Sequence, residues 1–460
     1  MTALDTATTV DAAPLPTRAP PLESASLESL AQRHGTRFIL ATFTTLTGKP
    51  CSKLVPVAAA DALLDGGAGF AGFAAGAMGQ QPNDPDMTVI ADPGSFAPLP
   101  FLKPGLAMVH CDPYVDGEPY PYAPRVILKQ MLARARAEGF TLRAGAEVEY
   151  FLVRRGPDGT LQVADERDDA AQPCYDARGV TRMYDHLTAV ADAMDALGWA
   201  PYASDHEDAN GQFEQNFLVA DALTTADRVV TLRFVIQMLA EQRDMTATFM
   251  PKPFADRTGN GLHLHLSLWR DEDPLFPSVP DGAADPRCHG LSPTAYAFVA
   301  GLLAHAPALQ ALIGPTVNSY KRTGVRTTRS GASWAPRLTP TYGGNDRTHF
   351  VRIPDGNRIE LRGSDGSASP YLAMAGALGC GLDGIARSLN PDAAPDAVLP
   401  TTLLEAIQAL EHDPVLCAVL DAADPTGGVS SYYAGLKREE FYAWHDAVSA
   451  WEIDRYLTAV

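Results

Sequence analysis

Three short segments of the chain place carboxylates and imidazoles two residues apart, the spacing at which side chains share one face of a β-strand. In the first segment, residues 140–153, Glu147 and Glu149 alternate with apolar residues. Two carboxylates this close repel each other, and a bound cation is the usual remedy. Taken alone, the pair fits a solvated strand face better than it fits a cation site.

The second segment, residues 261–268, alternates leucines with His263, His265 and Ser267. Imidazole nitrogen is a frequent metal ligand, so a strand with two histidines at this spacing favours a ligand site. A half-exposed polar strand face explains the same pattern about as well. The segment therefore needs support from the rest of the chain.

The third segment, residues 357–362, puts Glu360 on one face between Arg358 and Arg362. This pattern is either a ladder of surface charges, or a site where guanidiniums bind anionic oxygens and the glutamate binds a metal. A fourth segment, residues 205–214, adds Glu207 and Glu214 on what we predict to be a glycine-containing loop.

Together these segments supply five glutamates and a histidine in the company of arginines. Ligand sets dominated by oxygen suit hard cations, so they favour Mg²⁺ or Mn²⁺ over Zn²⁺. Arginines beside metal-binding carboxylates suggest phosphoryl chemistry, in which both neutralise the charge of the transferred group. A P-loop does not provide the nucleotide site, because residues 47–50 lack its first glycine and its Ser/Thr.

Hydrophobic periodicity predicts the elements that must position these segments. Strand-like runs at 37–43 and 52–57 predict a hairpin, followed by short strands at 87–90 and 107–111. The proline-rich stretch 112–125 predicts a domain boundary. Helical spacing predicts helices over residues 126–138, 180–197, 222–243, 293–311, 370–389, 402–410 and from 437 to the C-terminus. We therefore predict a disordered tail over residues 1–25, an N-terminal domain over 26–115 and a second domain over 116–460.

Composition excludes several classes of partner and location. The chain has 460 residues, with 36 Lys+Arg against 55 Asp+Glu and a net charge of −19. A charge this negative disfavours nucleic acid and anionic membranes as main partners. No apolar run is long enough to span a bilayer, and the first residues lack the features of a secretory signal. Six scattered cysteines predict reduced thiols and a cytoplasmic protein.

The chemical segments, in this order, resemble the glutamine synthetase superfamily over the chain from about residue 27 to its end. The matching motifs are GAEVEY (145–150), DHEDANGQFE (205–214), MPKP (250–253), GNGLHLH (259–265), NSYKR (318–322), NDRTHFVRIP (345–354), RIELR (358–362) and PYL (370–372). Three further strings, HEDANGQFEQN, SGASWAP and WEIDRY, resemble the type III subgroup, which includes glutamate–methylamine ligases. The order of the motifs makes this resemblance highly specific.

The resemblance implies an α+β fold with two parts. These are an N-terminal β-grasp-like domain, and a C-terminal catalytic domain with a curved antiparallel sheet and flanking helices. It implies a homo-oligomer of stacked rings, with active sites at the interfaces between subunits. It also implies an ATP-dependent ligase that phosphorylates L-glutamate and forms a γ-glutamyl amide with an amine or ammonia, using two or more Mg²⁺ or Mn²⁺ ions.

The resemblance also implies a role for each matching residue. One metal would bind Glu149, Glu207 and Glu214, and a second would bind Glu147, His263 and Glu360. Glutamate would bind Arg322, Arg362 and the backbone at Gly259. The nucleotide would contact Arg347, Arg352, Arg358, His265 and Ser267, with Trp334 lining that side. The residues expected to act on the transferring phosphoryl group and its acceptor are Arg322, Arg347 and Arg362.

Two departures from the family pattern concern the amine. Family members that use ammonia have an aspartate where this chain has Ala71, and an acid on the loop that corresponds here to residues 322–330, which contain none. Both losses remove negative charge from the expected ammonium site, so we favour a primary amine such as methylamine over ammonia.

Four alternatives remain open at this stage. Within the ligase class, the enzyme is a type III glutamate–ammonia ligase proper, or it uses a larger polyamine or arylamine. A non-catalytic, ring-forming relative is disfavoured because all six expected metal ligands are present. A metal-dependent hydrolase would leave the phosphate-type arginines unexplained.

Overall fold

The computed structural model describes residues 26–278, 285–323, 338–393, 397–424 and 426–459. The predicted tail over residues 1–25, Trp334 and most of the acid-free loop over residues 322–330 lie outside these ranges. The predicted domain boundary stays a prediction; the strands form two separate sheets, and the first sheet extends to residue 119.

The first sheet has seven strands and contains the predicted hairpin. Its strands are β1 (Phe38–Thr44), β2 (Pro50–Pro56), β3 (Ala68–Phe70), β4 (Met87–Ala91), β5 (Ala97–Pro98), β6 (Leu106–Val115) and β7 (Glu118–Pro119). The spatial order is β2-β1-β6-β4-β3, with β1 and β6 parallel and the other pairs antiparallel. The last two strands run into the proline-rich stretch that we predicted to be a linker.

The second sheet has eleven strands and contains every chemical segment identified above. Its strands are β8 (Thr141–Arg155), β9 (Leu161–Val163), β10 (Pro201–His206), β11 (Gln212–Phe217), β12 (Ala220–Asp221), β13 (Thr246–Thr248), β14 (Leu262–Arg270), β15 (Asp273–Pro274), β16 (Tyr342–Gly343), β17 (Val351–Asp355) and β18 (Arg358–Leu361). Its main order is β10-β11-β8-β14-β18-β17-β16. The pairs are antiparallel, as expected, except for the parallel pair of β16 and β17.

The helices cover the apolar sides of both sheets. They are α1 (Leu27–Arg33), α2 (Ala62–Asp65), α3 (Gly72–Ala75), α4 (Pro124–Ala137), α5 (Ala177–Arg182), α6 (Tyr184–Ala196), α7 (Ala222–Glu241), α8 (Pro293–Ala304), α9 (Ala306–Ile313), α10 (Pro370–Ala386), α11 (Leu403–Glu411), α12 (Pro414–Leu420), α13 (Val429–His445) and α14 (Ala450–Tyr456). Helix α7 packs on β8, and α10 packs against α4 and α8. These helices and the second sheet bury a large apolar core, whereas α1 and α2 bury a separate core with the first sheet.

Three predicted helices are divided in the structure. The helix predicted over 180–197 begins earlier, and α5 is separated from α6 at Met183. The helix predicted over 293–311 breaks at His305, whose imidazole bonds to Asp383 and Asp413. The helix predicted from residue 437 begins at Val429 and ends at His445, before α14 begins. Apolar periodicity continued across each break, so it did not reveal these ends.

Among the helices of the described ranges, none is by itself long and apolar enough to cross a membrane. One bent pair, α8 with α9 at 78°, passes that test by length and composition only.

Candidate active site

Strand register brings the chemical segments together on one face of the second sheet. Across β8 and β14, Glu147 lies opposite His263, and across β8 and β11, Glu149 lies opposite Glu214. Strand β18 then places Glu360 opposite His265. We call this surface the acid face; its residues are Glu147, Glu149, Asp205, Glu207, Glu214, His263 and Glu360.

The acid face exists because the other face of the same strands is apolar. Leu142, Val148 and Tyr150 on β8 are at most 1% exposed, and the four leucines of β14 are fully buried. Since neighbouring side chains alternate, burial of these residues turns Glu147, Glu149 and His263 to the opposite side. The two-residue spacing in the sequence therefore predicted the correct face.

Glu214 lies on strand β11. The prediction that it shares a loop with Glu207 was therefore wrong. Residues 212–217 pair with β8 over its acidic stretch. Phe213 and Phe217 are buried, and they fix the alternation that points Glu214 to the acid face. With polar residues at four of six positions, this strand gives only a weak hydrophobic signal. Glu207 follows β10 directly, in the turn before β11.

The inner cluster consists of Glu147, His263 and Glu360 with the guanidiniums of Arg352 and Arg362. His263 Nδ1 lies 2.9 Å from Glu147 Oε2. Arg352 Nη1 donates to Glu360 Oε2 at 2.6 Å, and Arg362 Nη1 donates to the other oxygen of the same carboxylate. Each carboxylate in this cluster therefore has a cationic or hydrogen-bonding partner from the protein.

These partners reverse the effect of burial on the carboxylates of the inner cluster. Burial by itself would raise the pKa of Glu147, but hydrogen bonds from His263 and His265 hold it well below its usual range. Burial likewise opposes ionisation of Glu360, and the charges of His263 and Arg362 lower its pKa. The inner cluster is thus stable in its ionised form.

His265 links Glu147 to Arg358. Its Nε2 lies 2.8 Å from Glu147 Oε1, and its Nδ1 accepts from Arg358 Nε at 3.1 Å. Because Arg358 can only donate, the imidazole of His265 must donate through Nε2. His265 thereby orients Arg358 at the edge of the acid face.

The outer cluster consists of Asp205, Glu207 and Glu214, whose ligand atoms lie within 4.8 Å of one another. Burial, and then repulsion from the neighbouring carboxylates, raises the pKa of Glu207 and of Glu214 well above the usual range. The same causes raise the pKa of Asp205 to about 6, against a smaller opposing effect of Arg347. This cluster has an excess of negative charge.

Three groups on the acid face have a geometry that could hold a cation: Glu147–His263–Glu360, Glu149–Glu214–His263 and Asp205–Glu207–Glu214. The group Glu147–His263–Glu360 is the ligand set predicted for the second metal. The predicted first set, Glu149, Glu207 and Glu214, is divided between the other two groups, which share Glu214.

The donor atoms themselves fit a hard divalent cation. His263 Nε2 is buried and has no hydrogen-bond partner among the described residues. A Cβ added at Gly261 would lie 2.7 Å from that nitrogen and 2.9 Å from Glu149 Oε1, so the two ligand atoms converge on a space that only glycine leaves open. One imidazole among carboxylates is an oxygen-rich set that suits Mg²⁺ or Mn²⁺.

Glu149 is held in place by the backbone that follows MPKP. Gly261 N donates to Glu149 Oε2 at 2.6 Å, and Gln212 Nε2 donates to the same oxygen at 3.1 Å. Gln212 also donates to the carbonyl of Gly259 at 3.2 Å. Arg322 is only 4% exposed and approaches both Gly259 and Gly261, so it lies where glutamate binding was predicted.

The remaining predicted residues lie around the acid face at different depths. Arg352 also bonds to Asn345, and Arg362 Nε donates to the carbonyl of Arg347 at 3.1 Å. The Arg347 side chain is exposed. Ser267 is farther along β14, where its hydroxyl accepts from Trp269 Nε1 at 3.0 Å. The binding roles of these residues stay predictions.

Three residues of the site were missed by the sequence analysis: Asp205, Gln212 and Asn216. Asp205 had a usable signal, because it lies two residues before Glu207 and at the end of a strand. Asn216 had the same signal relative to Glu214, to which its Nδ2 donates at 2.8 Å. The largely polar stretch 205–216 is typical of a loop, and this composition hides the strand spacing.

Comparisons with known proteins show the family and the fold of the chain. The family model "Glutamine synthetase, catalytic domain" matches residues 121–456. A glutamine synthetase of Rhizobium leguminosarum bv. phaseoli is 40% identical, covering 94% of this chain and 99% of its own. The glutamate–methylamine ligase of Methyloversatilis universalis is 39% identical, covering 92% and 96%. A solved structure of a GmaS/ADP complex is 43% identical with a TM-score of 0.86, covering 94% of this chain and 100% of that one.

Proposed function

The chain belongs to the glutamine synthetase family and is an ATP-dependent ligase, and we propose that it joins a primary amine to the γ-carboxyl group of L-glutamate. A carboxylate is a poor acylating agent because its leaving group would be oxide. Transfer of the terminal phosphoryl group of ATP to the γ-carboxylate gives an acyl phosphate. The amine then attacks the acyl carbon, and the bond from that carbon to the phosphate oxygen breaks.

The observation that supports this function best is that three buried arginines lie beside the carboxylates of the acid face. Arg322, Arg352 and Arg362 are 4%, 8% and 1% exposed, respectively. Phosphoryl transfer between two anions requires positive charge that is already in place, and buried guanidiniums supply it without reorganisation. A metal-dependent hydrolase would not require these three buried arginines.

We propose the following roles for the chain's own side chains. Arg322 and the backbone at Gly259 orient glutamate, and Arg362 lies beside the transferring phosphoryl group. Arg347, Arg352 and Arg358 hold the nucleotide phosphates, with His265 and Ser267 on the same side. His265 keeps Arg358 in position through its bond to Glu147.

Glu147, His263 and Glu360 would hold one divalent cation, and Glu149, Glu207 and Glu214 another. Such ions neutralise phosphate charge when bound. Three of these carboxylates, Glu149, Glu214 and Glu360, are buried, and exclusion of water from such a site protects an acyl phosphate from hydrolysis.

One observation keeps a glutamate–ammonia ligase as the second candidate. Two glutamine synthetases, from Rhizobium leguminosarum and Rhizobium meliloti, are 40% and 39% identical to this chain, which equals the similarity to the methylamine ligase. Overall identity therefore does not separate ammonia from a primary amine. The absence of an acid at Ala71 and in the segment 322–330 is the reason for preferring the amine.

One assay tests the proposed function. Phosphate release from ATP is measured with glutamate present or absent and with ammonia, methylamine, longer alkylamines, polyamines and arylamines in turn. We expect release that depends on glutamate and is faster with a primary alkylamine than with ammonia. Faster turnover with ammonia at low millimolar concentration than with every primary amine would favour the second candidate.

We also propose that the enzyme acts in the cytoplasm as a homo-oligomer of stacked rings, with active sites at subunit interfaces. Family membership supports the ring assembly. Measurement of the molecular mass in solution, followed by mixing of two inactive variants mutated on either side of the expected interface, tests it. Recovered activity would support shared sites, and a monomeric active enzyme would contradict them.

A further inference from the structure

The loss of acids described above leaves a positively charged amine without an identified counter-charge. Ala71 lies between β3 and α3 in the first sheet, and residues 324–330 lie outside the described ranges. An ammonium group still requires acceptors for its N–H groups and negative charge nearby. The outer edge of the acid face offers both.

We propose that Asp205, Asn216 and Tyr202 form the binding site for the alkylammonium group of the amine substrate. The inference rests on the proposed function and identifies the residues and the substrate class that it left open. Each of the three residues lies on the hairpin of β10 and β11, and Asp205 and Asn216 share the face of Glu214.

Strand register places these residues together. Asp205 on β10 lies opposite Glu214 on β11, and Ala203 lies opposite Asn216. Between Pro201 and Ala203 the register shifts, so Tyr202 leaves the regular alternation of β10. A bulge on an edge strand is a common way to redirect a side chain. Tyr202 is 62% exposed, so its ring is accessible, and its hydroxyl lies close enough to Glu147, Glu214 and Asp205 to interact with their charges.

Asn216 supplies an unused acceptor. The side chain is 6% exposed, and its Nδ2 donates to Glu214 Oε1 at 2.8 Å. Because only the amide nitrogen can donate to a carboxylate, this bond fixes the orientation of the amide. Its Oδ1 is buried without a hydrogen-bond partner among the described residues. A buried acceptor of this kind lacks a donor, which an ammonium group provides.

The charges around the site favour a cation. At Asp205, Glu147 and Glu149 are opposed by Arg347 and His206, and the carboxylate of Asp205 itself adds negative charge. Glu147, Glu214 and Asp205 act on the Tyr202 hydroxyl and are opposed by Arg358, so carboxylates outnumber cationic groups there. Partial burial and these carboxylates raise the pKa of Tyr202 to about 12, so its ring stays neutral.

The aromatic ring of Tyr202 distinguishes an alkylammonium ion from a divalent metal ion, which could also occupy the outer cluster. A third divalent metal would require oxygen ligands and would gain little from a tyrosine ring. An alkylammonium ion gains from a carboxylate, from an amide oxygen and from the ring face, against which its alkyl group also packs. Ammonium lacks that alkyl group, so the same site favours a primary amine over ammonia.

Substitution of Asp205 by Asn tests the charge. Hydroxylamine is mostly uncharged near neutral pH, whereas methylamine is protonated, so the two nucleophiles separate binding of the cation from the chemical step. We expect kcat/KM for methylamine to fall about 10- to 100-fold more than kcat/KM for hydroxylamine, mainly through KM. Asp195→Asn removes an exposed acid on α6, away from the acid face, and is the matched control.

Substitution of Tyr202 tests the ring. Tyr202→Phe keeps the aromatic face and should leave the methylamine KM within about twofold, whereas Tyr202→Leu should raise it about three- to tenfold. The ratio of kcat/KM for methylamine to that for ammonia should fall in the Leu variant. These variants do not alter a carboxylate, so they test the site independently of Asp205.

Two results would overturn the site. An unchanged methylamine KM in Asp205→Asn, together with a higher requirement for Mg²⁺ or Mn²⁺, would make Asp205 a metal ligand. Equal losses with methylamine and hydroxylamine would make it a general structural residue. Failure of the wild-type enzyme to release phosphate with glutamate and any amine would instead overturn the proposed function, and this site with it.

Discussion

The inner and outer clusters of the acid face contain similar residues in opposite electrostatic states. In the inner cluster, Arg352 and Arg362 bond to Glu360, and two histidines bond to Glu147. In the outer cluster, Asp205, Glu207 and Glu214 lie within 4.8 Å of one another and repel. The pKa values of the inner carboxylates are lowered, and those of the outer carboxylates are raised.

The difference shows which cluster has its carboxylates neutralised by side chains of the protein itself. The inner cluster has its own cations and is preorganised to hold anionic groups such as phosphate through its arginines. In the outer cluster, burial and repulsion between the carboxylates outweigh the opposing charge of Arg347 at Asp205, so positive charge from outside would stabilise the cluster. Metal ions and a protonated amine are the two sources of that charge in the proposed reaction.

The largest effect is expected at Glu149, which belongs to a cation-holding group that bridges the two clusters through His263 and Glu214. Glu149→Gln keeps the shape of the side chain and an acceptor for Gly261 N, but it removes the charge. We expect turnover to fall by about a thousandfold or more, with assembly intact. Phosphate release and size-exclusion chromatography measure the two. Retained turnover would remove Glu149 from the metal set, and Glu272→Gln, at an exposed acid, is the control.

The next prediction compares the two clusters through the free energy of unfolding of two variants in the absence of metal. Glu360→Gln would leave two buried guanidiniums without their carboxylate, and we expect a loss of about 3–5 kcal/mol in the free energy of unfolding. Glu214→Gln would instead relieve repulsion in the outer cluster, and we expect a gain of stability. Thermal or urea denaturation in the presence of a chelator measures the expected loss and the expected gain of stability.

The control for this pair is Glu411→Gln, which breaks an exposed ion pair with Arg438. Such pairs contribute about 0–1 kcal/mol, so this variant sets the scale for a lost surface charge. Destabilisation by both Glu360→Gln and Glu214→Gln to the same extent would show that the two clusters do not differ as described.

A smaller effect follows from addition of metal. Mg²⁺ or Mn²⁺ at about a hundred times its dissociation constant should stabilise the wild-type protein by about 2.7 kcal/mol, because the ion binds only the folded chain. Glu214 belongs to two of the three candidate groups, so Glu214→Gln should lose most of this gain. Denaturation with and without metal measures it. A full gain in the variant would place the stabilising ion at the inner cluster alone.

The sequence predicted the inner cluster better than the outer one for a physical reason. Strands β8, β14 and β18 alternate cleanly because their apolar sides face a large core, so spacing alone indicated the face of Glu147, His263 and Glu360. Strands β10 and β11 form a largely polar edge hairpin, so their periodicity was weak, and Asp205 and Asn216 were missed. The helix end at His305 depends on bonds to the distant residues Asp383 and Asp413, which local patterns do not contain.

The smallest effect is the pH dependence of Asp205 in the metal-free protein. Its pKa is raised from 3.8 to about 6, so ionised Asp205 is disfavoured in the folded state. The stability it contributes is therefore complete below its unfolded pKa and is lost as pH rises through about 6. We expect Asp205→Asn to be about 1 kcal/mol more stable than wild type at about pH 7.5, after allowance for solvent screening, and equal to it near pH 4. Denaturation midpoints of the two proteins across this range measure the difference. A constant difference would mean that Asp205 is not repelled by its neighbours, and the contrast between the two clusters would then rest on Glu207 and Glu214 alone.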